Sequence, residues 1–281
     1  MGPLISKDPA GEIPKTVSRI LQEGSTAVLV TLIEAPGQIN SVGRKILIGS
    51  SGEISGTLEA NDKGVLDSAV SAQALRFLGS REETVVFEVK AFAPELNEWV
   101  EAKLLFERIQ PEQRVVICGA GHVGASLANL ANLLGYHVTL IDDRAEFVSR
   151  RHFPAERIKL VTAERWSEAV AVAVGNGRGV YVAIVTRGHS EDEECLRSVM
   201  GLKANYVGLI GSRRRVRIVL DRLREQGASD EDLSDVHAPV GLDIGAVTPE
   251  EVALAIMAEM VAVRRGGKGG SLSGKSPKSK V

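Results

Sequence analysis

The sequence predicts an α/β protein in which a smaller N-terminal α+β domain precedes a C-terminal doubly wound parallel sheet. Three observations carry that prediction. Before about Glu107 the chain is rich in strands; after Arg114 strands and helices alternate; and the first strand of the alternating part runs into a turn spaced G-x-G-x-x-G. The expected domains are residues 10–108 and 113–265, followed by a disordered basic tail over 266–281.

In the first domain, Ala27–Leu32, Lys45–Ile48, Thr84–Val89 and Trp99–Phe106 are apolar or alternating runs set between Gly, Pro and Ser turns, and each reads as a strand. One helix interrupts them. Between Gly64 and Phe77 the residues Leu66, Ala69, Val70, Ala74 and Phe77 recur at spacings of three and four, with Gln73 breaking an otherwise apolar face that suits the cover of a small sheet. The polar, proline-containing segment IQPEQR joins this domain to the next.

In the second domain, strands are expected at Val115–Cys118, His137–Ile141, Lys159–Val161, Val180–Val185 and Tyr206–Ile210. Helices are expected near Val123–Leu134, Ala163–Val174, Asp192–Leu202, Arg213–Gln226 and Pro249–Arg264. Each is long enough for a crossover, so a Rossmann-like sheet follows. Beyond Gly266 the chain is Gly, Ser and Lys with little to bury, which cannot offset the entropy of ordering it.

Composition narrows the function. The 34 basic and 36 acidic side chains leave a net charge of −2, too little field to gather a polyanion, so no nucleic-acid role is expected. No apolar run reaches membrane-spanning length and the start MGPLISKDPAGEIPK lacks a signal-peptide core, which points to a cytoplasmic protein without a membrane partner. Two cysteines, Cys118 and Cys195, suit a reducing compartment, and Cys118 is expected to pack as a small hydrophobe beneath the glycine turn.

The turn itself is the strongest motif. Gly119 permits the tight bend, Gly121 lets a pyrophosphate approach the backbone, and Gly124 lets the following helix lie close to the strand, with His122 at the helix start. Asp142, about twenty residues on, stands where a carboxylate accepts hydrogen bonds from an adenine ribose. That carboxylate favours NAD over NADP, while Arg144 nearby leaves a 2′-phosphate open; a Rossmann-like fold without any nucleotide is the plainer alternative.

Three further clusters fall at predicted strand ends. Thr186, Arg187, Gly188 and His189 follow the strand VYVAIV, where parallel sheets bind ligands; the next residues read as a capping box of Ser190 and Glu193. Gly211 and Ser212 precede Arg213, Arg214 and Arg215 in a first helical turn, where the dipole disfavours cations. A phosphate or pterin phosphate would reverse that cost, and a solvated basic face is the alternative. In the third, Thr248, Pro249 and Glu251 account for a helix start by capping alone, leaving His237, Gly241 and Asp243 unexplained. His122, His189 and His237 are expected in loops at one end of the sheet, but no thiol or carboxylate stands beside them at a recognised ligand spacing, so no metal site is expected.

In order, CGAGHVG, VTRGHSEDEECL, YVGLIGSRRR and HAPVGLDIGAVTPEEVALAIMAEM resemble the C-terminal Rossmann domain of the XdhC/CoxI family. The N-terminal stretch VLVTLIEAPGQINSVGRKILIGSSGEISGTL is similar in outline, with Gly43, Lys45, Gly52, Ile54, Gly56 and Leu58 in matching places. It departs from the family pattern twice. Gln38, Ile39 and Asn40 replace a Ser-x-Pro-Arg, and Glu59, Ala60 and Asn61 replace a glycine run with Cys and Glu.

The resemblance implies an accessory factor that binds the molybdenum cofactor (molybdopterin), after sulfuration, and delivers it to an apo-enzyme of the xanthine dehydrogenase or carbon monoxide dehydrogenase type. It implies that molybdenum hydroxylase as partner, allows a cofactor sulfurase and a homodimer, and requires no turnover. Such a carrier would hold an anionic pterin between its two domains through Arg187, Arg213 and Arg214. The competing class is an NAD(P)-dependent oxidoreductase using the same glycine turn, for which the chain offers no Tyr-x-x-x-Lys hydride-transfer pair.

Overall fold

In the computed structural model of the protein, residues 9–59, 64–80 and 82–274 are described, and the chain divides into two compact units, Met1–Pro111 and Glu112–Val281. Residues 275–281 of the expected tail lie outside the described residues, and 266–274 form neither helix nor strand.

The first unit is an antiparallel sheet with a helix on each face. Strands β1 (Ala27–Glu34), β2 (Lys45–Gly49), β3 (Ile54–Gly56), β4 (Thr84–Glu88) and β5 (Lys103–Ile109) pair in the order β3-β2-β1-β5-β4. Helix α2 (Val65–Leu78) buries Leu66, Val70, Ala74 and Phe77 against Val30, Ile46 and Phe106, the face its spacing predicts. Helix α1 (Pro9–Gln22) covers the other face, burying Ile13 and Ile20 against Ala27 and Leu47. No helix was expected there, although Ile13, Val17 and Ile20 already recur at spacings of four and three.

The expected strand from Trp99 is shorter. Trp99–Ala102 form a turn closed by the Ala102 N–H donating to the Trp99 carbonyl at 2.8 Å, and β5 begins at Lys103. Both Trp99 and Ala102 are buried all the same, so the apolar run there reports burial and not pleat. The departure at Gln38–Asn40 sits beside a 3-10 turn at Ile39–Ser41 with Ile39 and Asn40 exposed, whereas Ala60 and Asn61 lie outside the described residues.

The second unit is a six-stranded parallel sheet. Its strands are β6 (Arg114–Cys118), β7 (His137–Asp142), β8 (Ile158–Thr162), β9 (Val180–Ile184), β10 (Tyr206–Leu209) and β11 (Val236–His237), in the order β11-β10-β9-β6-β7-β8. Side chains alternate between two cores. Val115 and Ile117 join the core under α3 (His122–Leu133) and α8 (Pro249–Arg265), while Val116 and Cys118 join the one under α4 (Trp166–Val174), α5 (His189–Val199) and α6 (Arg213–Glu225). Helices on both faces explain why the central strands are unbroken apolar runs. In this unit β11 and the one-turn helix α7 (Asp230–Ser234) are additions to the expected elements, as α1 and β3 are in the first; at two and five residues β11 and α7 are too short to show a period.

The chain steps outward from β6 to β7 and β8, then returns to β9 on the other side of β6. That reversal separates the loops that follow β6 and β9 and opens a crevice at the carboxyl edge, the usual ligand position in such sheets. Among the described residues no helix is long and apolar enough to cross a membrane.

Candidate functional site

The glycine turn after β6 is shaped by close backbone contacts. A Cβ on Gly119, whose φ is +110°, would lie 2.5 Å from the Val185 carbonyl oxygen, and one on Gly124 would lie 1.8 Å from the Gly119 carbonyl oxygen. Neither site admits a side chain. Gly121 differs: its φ of −65° is ordinary, and a Cβ there would meet nothing within 4 Å. It faces open space at the N-cap of α3, a twelve-residue helix whose first turn receives no side-chain cap. The N–H groups of that turn and the helix dipole therefore present an uncapped, anion-favouring end.

Asp142, at the end of β7, is 1% exposed. Its Oδ2 accepts from the Ala120 N–H at 2.7 Å and from Arg144 Nη2 at 3.0 Å; its Oδ1 accepts from the Arg144 N–H at 3.0 Å and Nε at 2.8 Å. Burial pushes its carboxyl up, but the Arg144 guanidinium and the two backbone N–H groups pull it further down, below the usual aspartate range. Both oxygens thus hold the glycine turn to the next loop. Arg144 is committed too, with its guanidinium 3.7 Å from the centre of the Phe147 ring. The more accessible carboxylate at this strand end is Asp143, 31% exposed, which pairs with Arg187 at 2.7 Å. Because β7 and β9 flank β6, this ion pair crosses over the strand that carries the glycine turn.

At the end of β9 the expected capping box is not formed. Gly188, with extended backbone, is the N-cap of α5, so the helix starts at His189, ahead of Ser190. Asp192 is drawn inward instead. Its Oδ1 accepts from the Thr186 hydroxyl at 2.5 Å, and its Oδ2 accepts from Arg215 Nη2 and Nε at 2.5 and 3.0 Å. Burial pushes the Asp192 carboxyl up against the pull of these donors. Glu193 turns to the surface pair with Arg197. Arg187 and His189 are exposed, with Arg187 Nε also 3.7 Å from Glu191.

The arginine run at the start of α6 divides in two. Ser212 is the N-cap, accepting from the Arg215 N–H at 3.2 Å, and Arg215 reaches Asp192 and so ties the β10 loop to the β9 loop. Arg213 and Arg214 remain exposed and form no ion pair with a described residue. Since β10 is two strands from β6, Gly211 stands about 10 Å from Gly119 along the sheet edge. The residues Gly119, Gly121, His122, Arg187, Gly188, His189, Gly211, Ser212, Arg213 and Arg214 therefore follow strand ends at one edge of the sheet, where Arg213 also lines a groove with Leu220 and Pro239.

His237 does not join them. It lies within β11, paired with Gly208, its ring stacked 4.5 Å from that of Tyr206 and its Nδ1 3.6 Å from Glu259. A two-residue edge strand claims it, too short to show a period in the sequence. The Thr248 and Glu251 capping box with Pro249 in the first turn is formed as expected. Among the described residues no group of three His, Cys, Asp or Glu could hold a metal ion. Cys118 and Cys195 are both fully buried, and a hydrogen bond with Cys118, together with burial, pushes the Cys195 thiol far up.

Sequence reasoning singled out neither Asp192 nor the segment Glu146–Phe153 beside the glycine turn. Asp192 had a signal, an acid in a helical first turn, but one that capping explains equally well.

Residues 115–260, just over half of the chain, match the family model described as the XdhC Rossmann domain. Among curated relatives, an uncharacterized Escherichia coli protein, YqeB, is 27% identical over 90% of this chain and 46% of its own length. A Bacillus subtilis protein named as a probable xanthine dehydrogenase subunit is 28% identical over 58% of this chain and 46% of its own. The chain thus spans about half the length of these two. The E. coli molybdenum cofactor insertion chaperone PaoD is 22% identical, over 87% of this chain and 85% of its own. A solved xanthine dehydrogenase from Bacillus halodurans shares the fold at a TM-score of 0.50 and 17% identity, over 92% of this chain and 97% of that one.

Proposed function

Because the chain belongs to the XdhC family, we propose that it is an accessory factor for molybdenum hydroxylases, which holds the molybdenum cofactor at the carboxyl edge of its parallel sheet and passes it to the apo-enzyme. One observation carries the reading: an open, uncapped helix end at Gly121 and two uncommitted arginines, Arg213 and Arg214, lie along the same edge. The name of PaoD, an insertion chaperone for that cofactor, supports the choice of ligand.

The donor set fits the phosphate end of a pterin cofactor. Uncapped N–H groups and guanidiniums favour a phosphate, with charge-assisted hydrogen bonds roughly twice as strong as neutral ones. The metal end finds no thiolate, since the chain's two cysteines are both buried. Bound, the cofactor supplies the redox centre that the client enzyme uses. The chain's own part is to seat the phosphate, orient the ring system and release both to a client that competes for the same charges. A hold made of charge and hydrogen bonds, without a covalent link, suits a carrier that must let go.

Changing Arg213 and Arg214 together to Ala is expected to lower cofactor occupancy about tenfold or more, at about 1.4 kcal/mol per tenfold, with no loss of fold because both are exposed. Occupancy is read by native mass spectrometry of protein from cofactor-making cells, and delivery by reconstitution of an apo-hydroxylase. Full occupancy and full activation by the double variant would overturn the reading. A nicotinamide nucleotide found in place of the pterin would favour the oxidoreductase alternative.

A further inference from the structure

The space above Gly121 continues into a cavity of about 530 Å³ that shares Gly121 and His122 with the phosphate-holding edge and extends beyond it. It begins at Ala120 and Gly121, so a molecule with its phosphate on the glycine turn has room here for the group the phosphate is attached to. The lining is largely apolar and partly aromatic, with Ala125 of α3 on one side and Phe147 and Phe153 on the other, and its polar members are His122, Asn129, Glu146 and His152. Phe153 is 2% exposed and anchored in the core, and Phe147 is backed by the Arg144 guanidinium that Asp142 clamps. A largely apolar cavity with two held aromatic rings in its wall accepts a flat ring system at little ordering cost.

The one carboxylate among the described residues of the lining narrows the ring further. Glu146 lines the cavity, is exposed, and accepts no hydrogen bond from a described residue. An ionised carboxylate accepts only, through two oxygens, and is best met by two adjacent N–H donors. The 2-amino-4-oxopyrimidine edge carries that pair, a ring N–H beside an exocyclic amine. Guanine and pterins share it. Adenine and cytosine set an acceptor nitrogen beside their amine, which turns a lone pair toward the carboxylate, and polar mismatches of this kind discriminate strongly.

We propose that this cavity is a ring subsite for a 2-amino-4-oxopyrimidine heterocycle, guanine or pterin, joined to a phosphate on the glycine turn, with Glu146 as the residue that selects the ring. The proposal rests on the reading that the turn holds a phosphate and adds which ring accompanies it.

The test is calorimetric titration of the full chain with four probes: GDP, ADP, neopterin triphosphate and inorganic pyrophosphate. GDP and the pterin are expected to bind at least about tenfold tighter than ADP, the loss of one well-made hydrogen bond to a charged group being worth that much. Whichever of the two binds tighter identifies the source of the ring. Glu146→Gln, a surface change that spares the fold, is expected to bring the GDP to ADP ratio close to one, because an amide meets either edge, while leaving pyrophosphate binding unchanged. Ala125→Leu, which narrows the cavity, should weaken GDP and the pterin and again spare pyrophosphate. Equal binding of GDP and ADP, or a ratio unmoved by Glu146→Gln, overturns the ring subsite alone if pyrophosphate still binds. No binding of any probe at millimolar concentration overturns both the subsite and the phosphate-holding turn.

Discussion

Gly124→Ala is expected to destabilise the second unit by about 3 kcal/mol or more, the upper end of overpacking costs, because the added methyl meets backbone that cannot swing aside. The Cβ would fall 1.8 Å from the Gly119 carbonyl oxygen and 2.9 Å from its carbon, with the Val185 side chain at 3.3 Å. Relief requires α3 to lift from β6, which pulls Leu127 and Ala131 out of the core they share with Ile256 and Met260 of α8. Urea unfolding of the single variant reads the loss as a lowered midpoint. Gly121→Val is the control: its Cβ meets nothing, so its stability should move by less than about 1 kcal/mol, while anion binding at the turn disappears. A Gly124→Ala protein as stable as the parent would show that the turn is not locked by contact.

Asp142→Ala is expected to cost about 3–5 kcal/mol, the usual penalty for removing one partner of a buried charge pair. The variant leaves the Ala120 N–H, in a residue 3% exposed, without its acceptor, and leaves Arg144 facing Asp143 at 3.8 Å as its nearest remaining acid. Asp142→Asn keeps the shape and one acceptor, and should fall between the two. The acid dependence separates charge from shape. The folded-state value of Asp142 lies below its unfolded value, so the stability it contributes is fully present above the unfolded value, about pH 4, and is lost as pH falls through the folded one. Denaturation midpoints taken between neutral pH and about pH 3 should therefore fall less steeply for Asp142→Asn than for the parent. Parallel curves would mean that Asp142 is not the acid that matters here.

The two substitutions act on the same few backbone atoms, those where β6 turns into α3, and the residues most needed to build that edge are not those left free to bind. Asp142, Arg144, Asp192 and Arg215 hold the loops in place, while Gly121, Arg213 and Arg214 face outward, the two arginines without an ion-pair partner among the described residues, and Arg187, though exposed, is paired with Asp143.

The architecture of the second unit follows from the sequence alone because its determinants are local. Unbroken apolar runs of four to six residues, separated by amphipathic helical stretches, allow few arrangements other than a parallel sheet covered on both faces. The cap at Thr248 is equally local, set by residues within three positions of each other, whereas the one expected at Ser190 gives way to Gly188. The tertiary structure decided the allegiance of each charged side chain. Asp142 and Asp143 are adjacent and chemically alike, as are Arg214 and Arg215, yet one of each pair is consumed by packing and the other left at the surface. Which one is consumed depends on where the neighbouring strand ends, to within an ångström or two, and on which donors arrive there from 22 or 23 residues away. Burial then raises the stakes, because a carboxylate removed from water must find its partners inside the chain. The cavity at Glu146 and Phe147 has the same origin: it exists only because α3 and the segment after β7 are brought side by side, and spacing along the chain carries no trace of it.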